Sequence, residues 1–559
     1  METLDIVLII VEIALSLLLI IPMKLSKRFV STKWRLCFAA PAIACMIIAG
    51  LGGFDKYMLP AYIGAAATLA GFFSENTRAR IGTAAANVVL SLAVLPLCIG
   101  NEDYRGRDFT KEFEEMFPVM KKHYVLTELK GIDWDELYGR YLPMFEEADN
   151  ERSSLLNYIA WCRFTYEFHD CHVYYSDGEI DKSEKTVNEA MTEIFDILSA
   201  GDYGLSLMGL SDGRTAAVNV DSTSAAALAG IHNGTIITSW NGMTVEEAGI
   251  TSPVNGVVMN FADKDNEAFW LPLQASVNGG ESVTVTFIDD EGKEKSAELS
   301  RMGSGYSRYY DTYHIISQGV EAENFGFREI NEDTVCFRLK SMSYDSFSAR
   351  KESYANMKYE VTAELKKYLA EGKKNLIIDM RDNGGGSGLL VETLGEIFAP
   401  EGTHFYVADG KWDDKTHSYA RDPETGEYMK GDEHYFSGEN TWQGNQIIIL
   451  VNSGSVSAAD HFTMIMRGME NVTVMGFTES AGSAQGIGAA QTDNAMLSFS
   501  NCLMLDKNGD IFIDSGADYE SGNDIDIRVS FDEEAIKALF ENGEDHLLNK
   551  ALEHFNENG

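Results

Sequence analysis

The first hundred residues contain four apolar runs. The first, residues 4–23, has only three polar side chains, and similar runs follow at about 36–54, 59–73 and 81–100. A helix needs about 20 mainly apolar residues to cross the hydrocarbon core of a bilayer. A cleaved signal peptide is the alternative for the first run, but no small-residue cleavage site follows it and more apolar runs come after. The pattern therefore predicts a transmembrane region of about four helices over residues 1–100.

Basic residues flank two of these apolar runs. Five Lys or Arg side chains lie between the first and second runs, and Arg78 and Arg80 precede the last run. Lys and Arg are enriched in cytoplasmic loops, so both loops are expected inside the cell. Four spans then leave everything after Gly100 outside the cytoplasm, attached to a cell membrane that the chain crosses several times.

Residues 101–200 show the spacing of amphipathic helices. Phe113, Met116 and Met120 recur at helical intervals, and two more segments repeat the pattern before the chain reaches Phe168. Strand-forming residues begin abruptly at Tyr174. We expect a helical domain here, ending in a turn that carries two histidines.

Residues 201–305 alternate apolar and polar positions between glycine-rich turns. The stretch from Ala217 to Gly242 joins a strand, a small-residue helix and a hairpin, an order that resembles a PDZ domain. Thr235 departs from that pattern, which usually has Asp there. In such a domain, four residues form the loop whose backbone N–H groups receive the C-terminal carboxylate of a peptide: Tyr203, Gly204, Leu205 and Ser206. A PDZ-like fold that serves only as a spacer is the alternative.

Residues 306–559 alternate strands with helices, as in the strand Leu376–Asp379, the helix Leu389–Phe398 and the strand Gln446–Val451. This order predicts an α/β core. Polar and aromatic residues interrupt it over residues 401–445, which indicates a long insertion.

Two strands of this core run into turns that could carry chemistry. The first turn contains Gly384, Gly385 and Gly386, and the second contains Ser457, followed by Ala458 at the start of an apolar helix. Glycine lets backbone N–H groups face a ligand or a developing oxyanion. A glycine run by itself more often marks a tight turn, and serines before a helix are often only caps.

In this order and at this separation, the two segments resemble the carboxy-terminal processing and tricorn proteases, whose core is related to the crotonase and ClpP folds. With the helical and PDZ-like units, the resemblance covers roughly residues 107–535. It implies a serine endopeptidase with Ser457 as nucleophile. It also implies an oxyanion hole formed by the N–H of Ala458 and one from Gly384, Gly385 or Gly386.

The general base that would activate Ser457 must be sought elsewhere in the sequence. Many family members activate the serine with a lysine about 25 residues downstream, but the matching stretch has no lysine and Ser483 lies near that place. Tricorn-like members use an upstream histidine, and the position of His172 resembles it. A neutral imidazole can accept the hydroxyl proton, so we predict His172 as general base. His461, one helical turn after Ser457, is a weaker candidate.

Other site residues follow from the same resemblance. Cys171 occupies the place where tricorn has a serine, and Asp514, or alternatively Glu520, would supply a supporting acid. His169, Cys171 and His172 could suggest a metal site, but no downstream ligand pair completes it. We therefore predict neither a metal nor a cofactor.

The charge of the chain is strongly negative, at -41, and the excess of acidic residues lies in residues 101–559. Phosphate backbones would be repelled, which argues against nucleic acid as a partner. The seven cysteines are scattered and indicate no disulfide scaffold.

The sequence as a whole predicts a membrane-anchored serine endopeptidase that acts on proteins or peptides selected through their C-termini. A catalytically inactive membrane receptor or peptide-binding scaffold is the alternative, because the usual lysine is missing. The oligomeric state and the physiological substrate are not readable from these patterns.

Overall fold

The computed structural model describes residues 107–558 with short gaps, together with four isolated residues of the first hundred. The gaps are residues 179, 181–183, 260–263, 318–324, 344–350, 443–445, 514–515, 517–521 and 523, and the isolated residues are Arg78, Ala85, Ala86 and Val89. Apart from Ala85, Ala86 and Val89, the predicted membrane-spanning runs lie outside the described part. Among the residues that are described, no helix combines the length and the apolar character needed to span a bilayer.

Three helices follow one another where the sequence predicts helices: α1 (Phe109–His123), α2 (Trp134–Glu151) and α3 (Ser154–Tyr166). The apolar positions of α1 that set its period, Phe113, Met116 and Met120, are all buried. Burial of an amphipathic face against neighbouring elements is what stabilises such helices in a protein.

The chain divides into two compact units: residues up to 114 with 139–160, and residues 115–138 with 161–559. In the first unit, Phe113 stacks on Phe145 with ring centroids 4.3 Å apart. Asp149 accepts hydrogen bonds from the backbone N–H groups of Phe109 at 2.8 Å and Thr110 at 2.9 Å. A carboxylate from another helix thus satisfies donors that the first turn of α1 leaves open.

All other elements belong to the second unit. A short strand and a helix come next, β1 (Tyr174–Asp177) and α4 (Glu184–Ile197). A β-rich segment over residues 201–304 then contains β2 (Gly201–Asp202), β3 (Ser206–Gly209), β4 (Thr215–Val218), α5 (Ala225–Leu228), β5 (Ile237–Trp240), α6 (Val245–Ile250), α7 (Lys264–Ala275), β6 (Ser282–Ile288), β7 (Glu294–Ser300) and β8 (Gly303–Ser304).

This β-rich segment has its own apolar core, in which Leu207, Trp240 and Val285 are fully buried. Its strands form a β3–β4 hairpin, a β5-β6-β7 sheet and a β2–β8 pair. The order of strand, small-residue helix and strand agrees with the sequence pattern. Its identity as a PDZ domain stays a prediction.

The α/β core begins with α8 and runs to the C-terminus. Its elements are α8 (Tyr306–Ser317), β9 (Phe325–Glu329), β10 (Thr334–Leu339), α9 (Lys351–Ala370), β11 (Asn375–Asp379), α10 (Gly388–Phe398), β12 (Gly402–Gly410), β13 (Trp412–Asp413), β14 (Ser418–Tyr419), β15 (Lys430–Gly438), β16 (Gln446–Leu450), α11 (Ala458–Arg467), β17 (Val472–Gly476), β18 (Gly486–Gln491), β19 (Ala495–Cys502), β20 (Met504–Leu505), β21 (Ile527–Arg528), α12 (Glu533–Ile536), a π-helical turn (Lys537–Asn542) and α13 (His546–Asn558).

A six-stranded sheet in the order β21-β17-β16-β11-β10-β9 forms the centre of this core. Its strands are parallel except β9. Ile377 and Ile448 pack into the core on one face, and Ile378 and Ile449 into the core on the other. Both faces are therefore covered, which explains the continuous apolar runs in the sequence. Pairing of β11 with β16 brings their carboxyl ends side by side.

The predicted insertion at residues 401–445 is mainly a long antiparallel β12–β15 hairpin, to which β20 adds a third strand. A separate sheet in the order β1-β19-β18 joins the N-terminal segment to the α/β core. Tyr174 of β1 and Ala489 of β18 both pair with Ser498 of β19. This sheet holds the residues before β1 beside those before β18.

A buried charge cluster fixes the end of β11. The Arg381 guanidinium is fully buried and donates to Asp379 at 2.9 and 3.0 Å and to Asp545 at 2.7 and 2.9 Å. Arg338 on β10 also contacts Asp379, at 2.7 Å. These carboxylates raise the pKa of Arg381 against the opposing effect of burial. The chain leaves β11 directly from this cluster into the glycine turn.

Arg381→Met should destabilise the protein by about 3 kcal/mol, because it removes a cation that the buried Asp379 and the partly buried Asp545 share. A lower urea midpoint, followed by tryptophan fluorescence, would measure this loss. Lys367→Met removes an exposed ion pair with Glu364 and serves as the control, for which the midpoint should not move. Equal effects of the two substitutions would contradict the role given to the buried cluster.

Candidate active site

Ser457 lies on a strained turn between β16 and α11. Its φ of 61° and ψ of -121° are unusual for a residue with a side chain, and such strain is found mainly where the surrounding structure enforces it. The side chain is partly exposed and makes no capping hydrogen bond with α11. Its backbone N–H donates to the carbonyl of Gly482 at 3.0 Å. The turn thus leaves the hydroxyl accessible.

Neighbouring serines have structural partners instead. Ser455 Oγ donates to the carbonyl of Met380 at 2.9 Å and accepts from the N–H of Asn452 at 3.1 Å. Ser453 Oγ accepts from the indole N–H of Trp270 at 3.1 Å. The possibility that these serines only cap or brace the turn therefore fits Ser453 and Ser455, but not Ser457.

The glycine turn touches the serine turn. A Cβ on Gly385, whose φ is 83°, would lie 2.8 Å from Ser457 Cβ and 2.6 Å from the carbonyl of Val456. Only glycine permits this approach. Gly385 N–H donates to Asn383 Oδ1 at 3.0 Å, so it is already engaged. Of the predicted glycine donors, Gly384 and Gly386 are those that can join the N–H of Ala458.

Asn383 ties the two turns together, a role that the sequence analysis missed. Its carbonyl accepts from Val456 N–H at 3.0 Å, and its side chain donates to the carbonyl of Leu339 at 2.8 Å. Beside it, Asp382 and Asn452 exchange two hydrogen bonds of 2.9 Å. The Asp-Asn pair that precedes the glycines was the available signal.

Asp460 is a second missed residue. It is fully buried in the first turn of α11, and its Oδ2 accepts from Gly482 N–H at 2.7 Å. Since the carbonyl of Gly482 accepts from Ser457 N–H, Asp460 holds the residue to which the backbone of the serine is bonded. An acid three residues after the serine was visible in the sequence, but its partner was not.

His172 is buried and lies on a loop attached to the same segment. The N–H of Cys171 donates to Ser483 Oγ at 2.7 Å, and Ser483 directly follows Gly482. Burial lowers the pKa of His172, while the charge of Asp170 and a hydrogen bond to the Gln485 backbone act in the opposite direction. An imidazole of this kind is neutral at physiological pH and available as a base.

The turn before His172 depends on Asp170, which sequence reasoning did not single out. This buried carboxylate accepts from the N–H of His172 at 2.8 Å, the hydroxyl of Tyr124 at 3.1 Å and the hydroxyl of Ser500 at 2.9 Å. The sequence did contain a signal for this contact. Asp170 precedes His172 by two residues, a spacing at which an Asp side chain commonly accepts from a backbone N–H.

His461 has both ring nitrogens occupied. Nε2 donates to the carbonyl of Ala484 at 2.9 Å, so Nδ1 accepts from the hydroxyl of Tyr406 at 2.8 Å. Burial lowers its pKa to about 4. This arrangement favours a bracing role for His461.

The third catalytic group stays a prediction. Asp514 and Glu520 lie outside the described residues. Within the described residues, Nδ1 of His172 has no hydrogen-bond partner. Cys171 contributes its backbone N–H to the loop contact, and its side chain is partly exposed.

The predicted peptide-binding loop is largely engaged within the β-rich segment. The hydroxyl of Tyr203 donates to the carbonyl of Gly280 at 2.7 Å, and Gly204 N–H donates to Asp202 Oδ1 at 2.8 Å. The β3 strand that follows, from Ser206, is buried, and the residues Tyr203 and Leu205 are buried with it.

Helix α7 lies close to the β3 strand. A Cβ on Gly209 would meet the carbonyl of Ala268 at 2.6 Å. A peptide strand therefore has no room between β3 and α7 at this end, and capture of a substrate tail stays a prediction that requires α7 to move.

No group of three or more His, Cys, Asp or Glu side chains in the described part of the chain is arranged to hold a metal ion. The metal site considered for His169, Cys171 and His172 thus gains no further ligand from those residues.

Comparison with known proteins identifies the region that carries this site. Residues 337–518 match the model of peptidase family S41, and residues 106–153 match the tricorn protease C1 domain. The first match contains the glycine turn and Ser457, whereas His172 lies outside both. No curated relative matches the sequence.

Solved structures similar to this chain include mature CPAF and two proteases. Mature CPAF complexed with lactacystin is 12% identical over 79% of this chain and 97% of its own, with a TM-score of 0.47. The photosystem II D1 C-terminal processing protease is 14% identical over 79% of this chain and 100% of its own, with a TM-score of 0.32. The tricorn protease is 14% identical over 81% of this chain and 37% of its own, with a TM-score of 0.35.

The family matches carry the assignment, and they agree with the geometry of the serine turn. Residues 337–518 are similar to peptidase family S41 and residues 106–153 to the tricorn C1 domain, and the chain is a serine-type peptidase.

Proposed function

We propose that this protein is a membrane-anchored serine endopeptidase that uses Ser457 and His172 and selects substrates through their C-termini. One observation carries the catalytic part of the proposal. The Ser457 hydroxyl makes no capping bond on a strained turn, while glycine backbone approaches it and Ala458 opens the following helix.

The proposed reaction is acyl transfer. His172 accepts the hydroxyl proton as Ser457 Oγ bonds to the carbonyl carbon of the scissile peptide. The carbonyl oxygen becomes an oxyanion, which receives N–H groups from Ala458 and from Gly384 or Gly386. When the C–N bond breaks, His172 returns the proton to the leaving amine. Water then attacks the acyl-enzyme with the same proton transfers and regenerates the Ser457 hydroxyl.

The missing lysine is compatible with this reaction. Ser483 stands near the family's lysine position, is fully buried and binds the Cys171 backbone. A serine there supplies no proton-accepting amine, but it supports the loop that carries the imidazole. We therefore place this enzyme with the histidine-dependent branch of the family.

Substrate selection is proposed to use the loop from Tyr203 to Ser206. Backbone N–H groups in such a loop can bind a carboxylate once α7 moves away from β3. Helix α7 also reaches the serine turn, since Trp270 donates to Ser453 Oγ at 3.1 Å. A movement of α7 that admits a substrate tail would thus alter the contact of Trp270 with Ser453, four residues before Ser457.

Anchoring is proposed to use the apolar runs of the first hundred residues. The Lys and Arg residues of the two basic loops support a topology in which residues 101–559 lie outside the cytoplasm. An enzyme held this way would meet extracytoplasmic proteins or peptides.

A fluorophosphonate probe tests the catalytic proposal, because it forms a covalent bond only with an activated serine. The wild-type protein should be labelled at Ser457, and Ser457→Ala should lose the label. Ser457→Ala and His172→Ala should each lower kcat by on the order of 10⁶, as loss of a nucleophile or base does in comparable enzymes.

Ser453→Ala is the matched control, since that serine has a structural partner, and it should keep the label. Absence of labelling in folded wild-type protein would support a non-catalytic receptor or scaffold instead.

Amidation of a substrate's C-terminus should lower kcat/KM by about tenfold or more, because hydrogen bonds to a charged carboxylate are lost. Peptide pairs that differ only in this group measure the effect. In Gly204→Ala, the new Cβ would clash with Ser224 Cβ and distort the loop, so the two peptides should be cleaved equally. Equal cleavage by the wild type would leave the β-rich segment as a spacer.

Protease added to intact cells that express the full chain should remove residues 101–559, because the four-span topology places them outside. Immunoblotting for an epitope at the C-terminus would follow the loss, with a cytoplasmic protein as the protected control. Digestion that occurs only after permeabilisation would show that the topology is inverted.

A further inference from the structure

The Asp170 carboxylate joins three separate parts of the chain. Its Oδ1 accepts from the N–H of His172, and its Oδ2 accepts from Tyr124, after α1, and from Ser500 on β19. The side chain is fully buried, so these contacts replace the water that a carboxylate would otherwise need.

The turn that contains Asp170 sets the position of His172. His169 has a φ of 44°, and Val173 N–H donates to the carbonyl of Asp170 at 2.9 Å, which closes the turn around the histidine. The chain then enters β1, which pairs with β19. Ser500 also lies on β19. The Asp170 carboxylate therefore binds the histidine turn to the same strand with which β1 pairs.

Among the residues that the structure describes, charged or titratable groups face His172 from its own turn and from α11. Asp170 lies on its own turn, and His461 faces it from α11. The third contact, from the segment before β18, is the uncharged backbone of Gln485. Burial lowers the pKa of His461 to about 4, so this ring is neutral at physiological pH. Among these groups, Asp170 supplies the negative charge.

We propose that Asp170 is a positioning residue for His172: its carboxylate holds the backbone of the histidine turn, and its negative charge favours the imidazolium that forms during catalysis. The inference rests on the proposed function, in which His172 is the base. Asp170 itself touches neither the substrate nor the reacting atoms in this role.

The direction in which the Asp170 charge shifts the pKa of His172 can be stated. Burial lowers the pKa of His172 and the Asp170 charge raises it, so removal of the charge lowers that pKa further. The limb over which kcat/KM rises with pH then moves to lower pH. The base is also weaker, so the plateau at higher pH falls.

Asp170→Asn separates charge from shape, because an amide oxygen can still accept from His172 N–H. The rise of kcat/KM with pH should move to lower pH by about one unit, as expected when an opposite charge near the imidazole is lost. The plateau of kcat should fall about tenfold or more, with little change in KM. An unmoved limb would overturn the proposal, even if the variant were less stable.

Asp177→Asn is the matched control. Asp177 is also a fully buried carboxylate, lies on β1 and accepts from the hydroxyl of Tyr175 at 3.1 Å. The charge of Asp177 is not one of the influences on the pKa of His172. Its substitution should therefore leave unchanged the pH range over which kcat/KM rises. An equal shift in both variants would show a general loss of structure and would also overturn the proposal.

A direct titration keeps the test independent of enzyme activity. NMR of labelled histidine in the Ser457→Ala background measures the pKa of His172 with and without Asp170→Asn, and the pKa should be lower without the charge. If the wild type proves inactive but this shift occurs, the proposed function fails while the contact between Asp170 and His172 stands. An unchanged pKa overturns the contact itself.

Ser500→Ala tests the positioning part if Asp170→Asn does not fold. It removes one neutral tie and keeps the charge, so kcat should fall several-fold while the pH limb stays within about half a unit of wild type. An unchanged kcat would overturn the positioning role.

Discussion

The hydrogen bond from Val456 to the carbonyl of Asn383 is the contact on which the site depends. It joins the turn after β16 to the turn after β11, and it can form only because these strands are parallel neighbours with their ends in register. Asn383 also holds Gly385, so that glycine backbone approaches Ser457. An oxyanion site made of backbone N–H groups has no side chains to adjust, and its geometry must therefore come from the sheet and from such contacts.

A different set of contacts connects the loop that carries His172 to the segment beside the serine turn. The β1-β19-β18 sheet places the turn before β1 beside the segment before β18, and the Cys171 to Ser483 contact closes the gap. That contact joins residues 312 positions apart. Ser483, near the place where many family members have a lysine, has a hydroxyl that accepts from Cys171 N–H and so supports the loop that carries His172. Burial lowers the pKa of His172, and the negative charge of Asp170 acts in the opposite direction.

Several features of the site were predicted from the sequence because they are local. Ser457, Ala458 and the three glycines lie within short segments whose residue types have direct conformational meanings, and the family resemblance added their roles. The strand and helix positions of the α/β core followed from apolar runs and helical spacing, with boundary differences of a few residues. The braces Asn383, Asp460 and Asp170 were missed. Each of them makes polar contacts with segments distant in the chain, and a single sequence contains no signal for such partners.

The sequence by itself determined the positions of the buried strands, the acidic character of residues 101–559 and the two turns that hold the glycines and Ser457. Only the tertiary structure decided that Gly385 N–H is already bonded, that His461 is fully braced and that α7 lies against β3. The reason is physical. Periodicity and residue type record whether a position is buried, whereas hydrogen-bond partners and the closure of a groove depend on how distant segments pack.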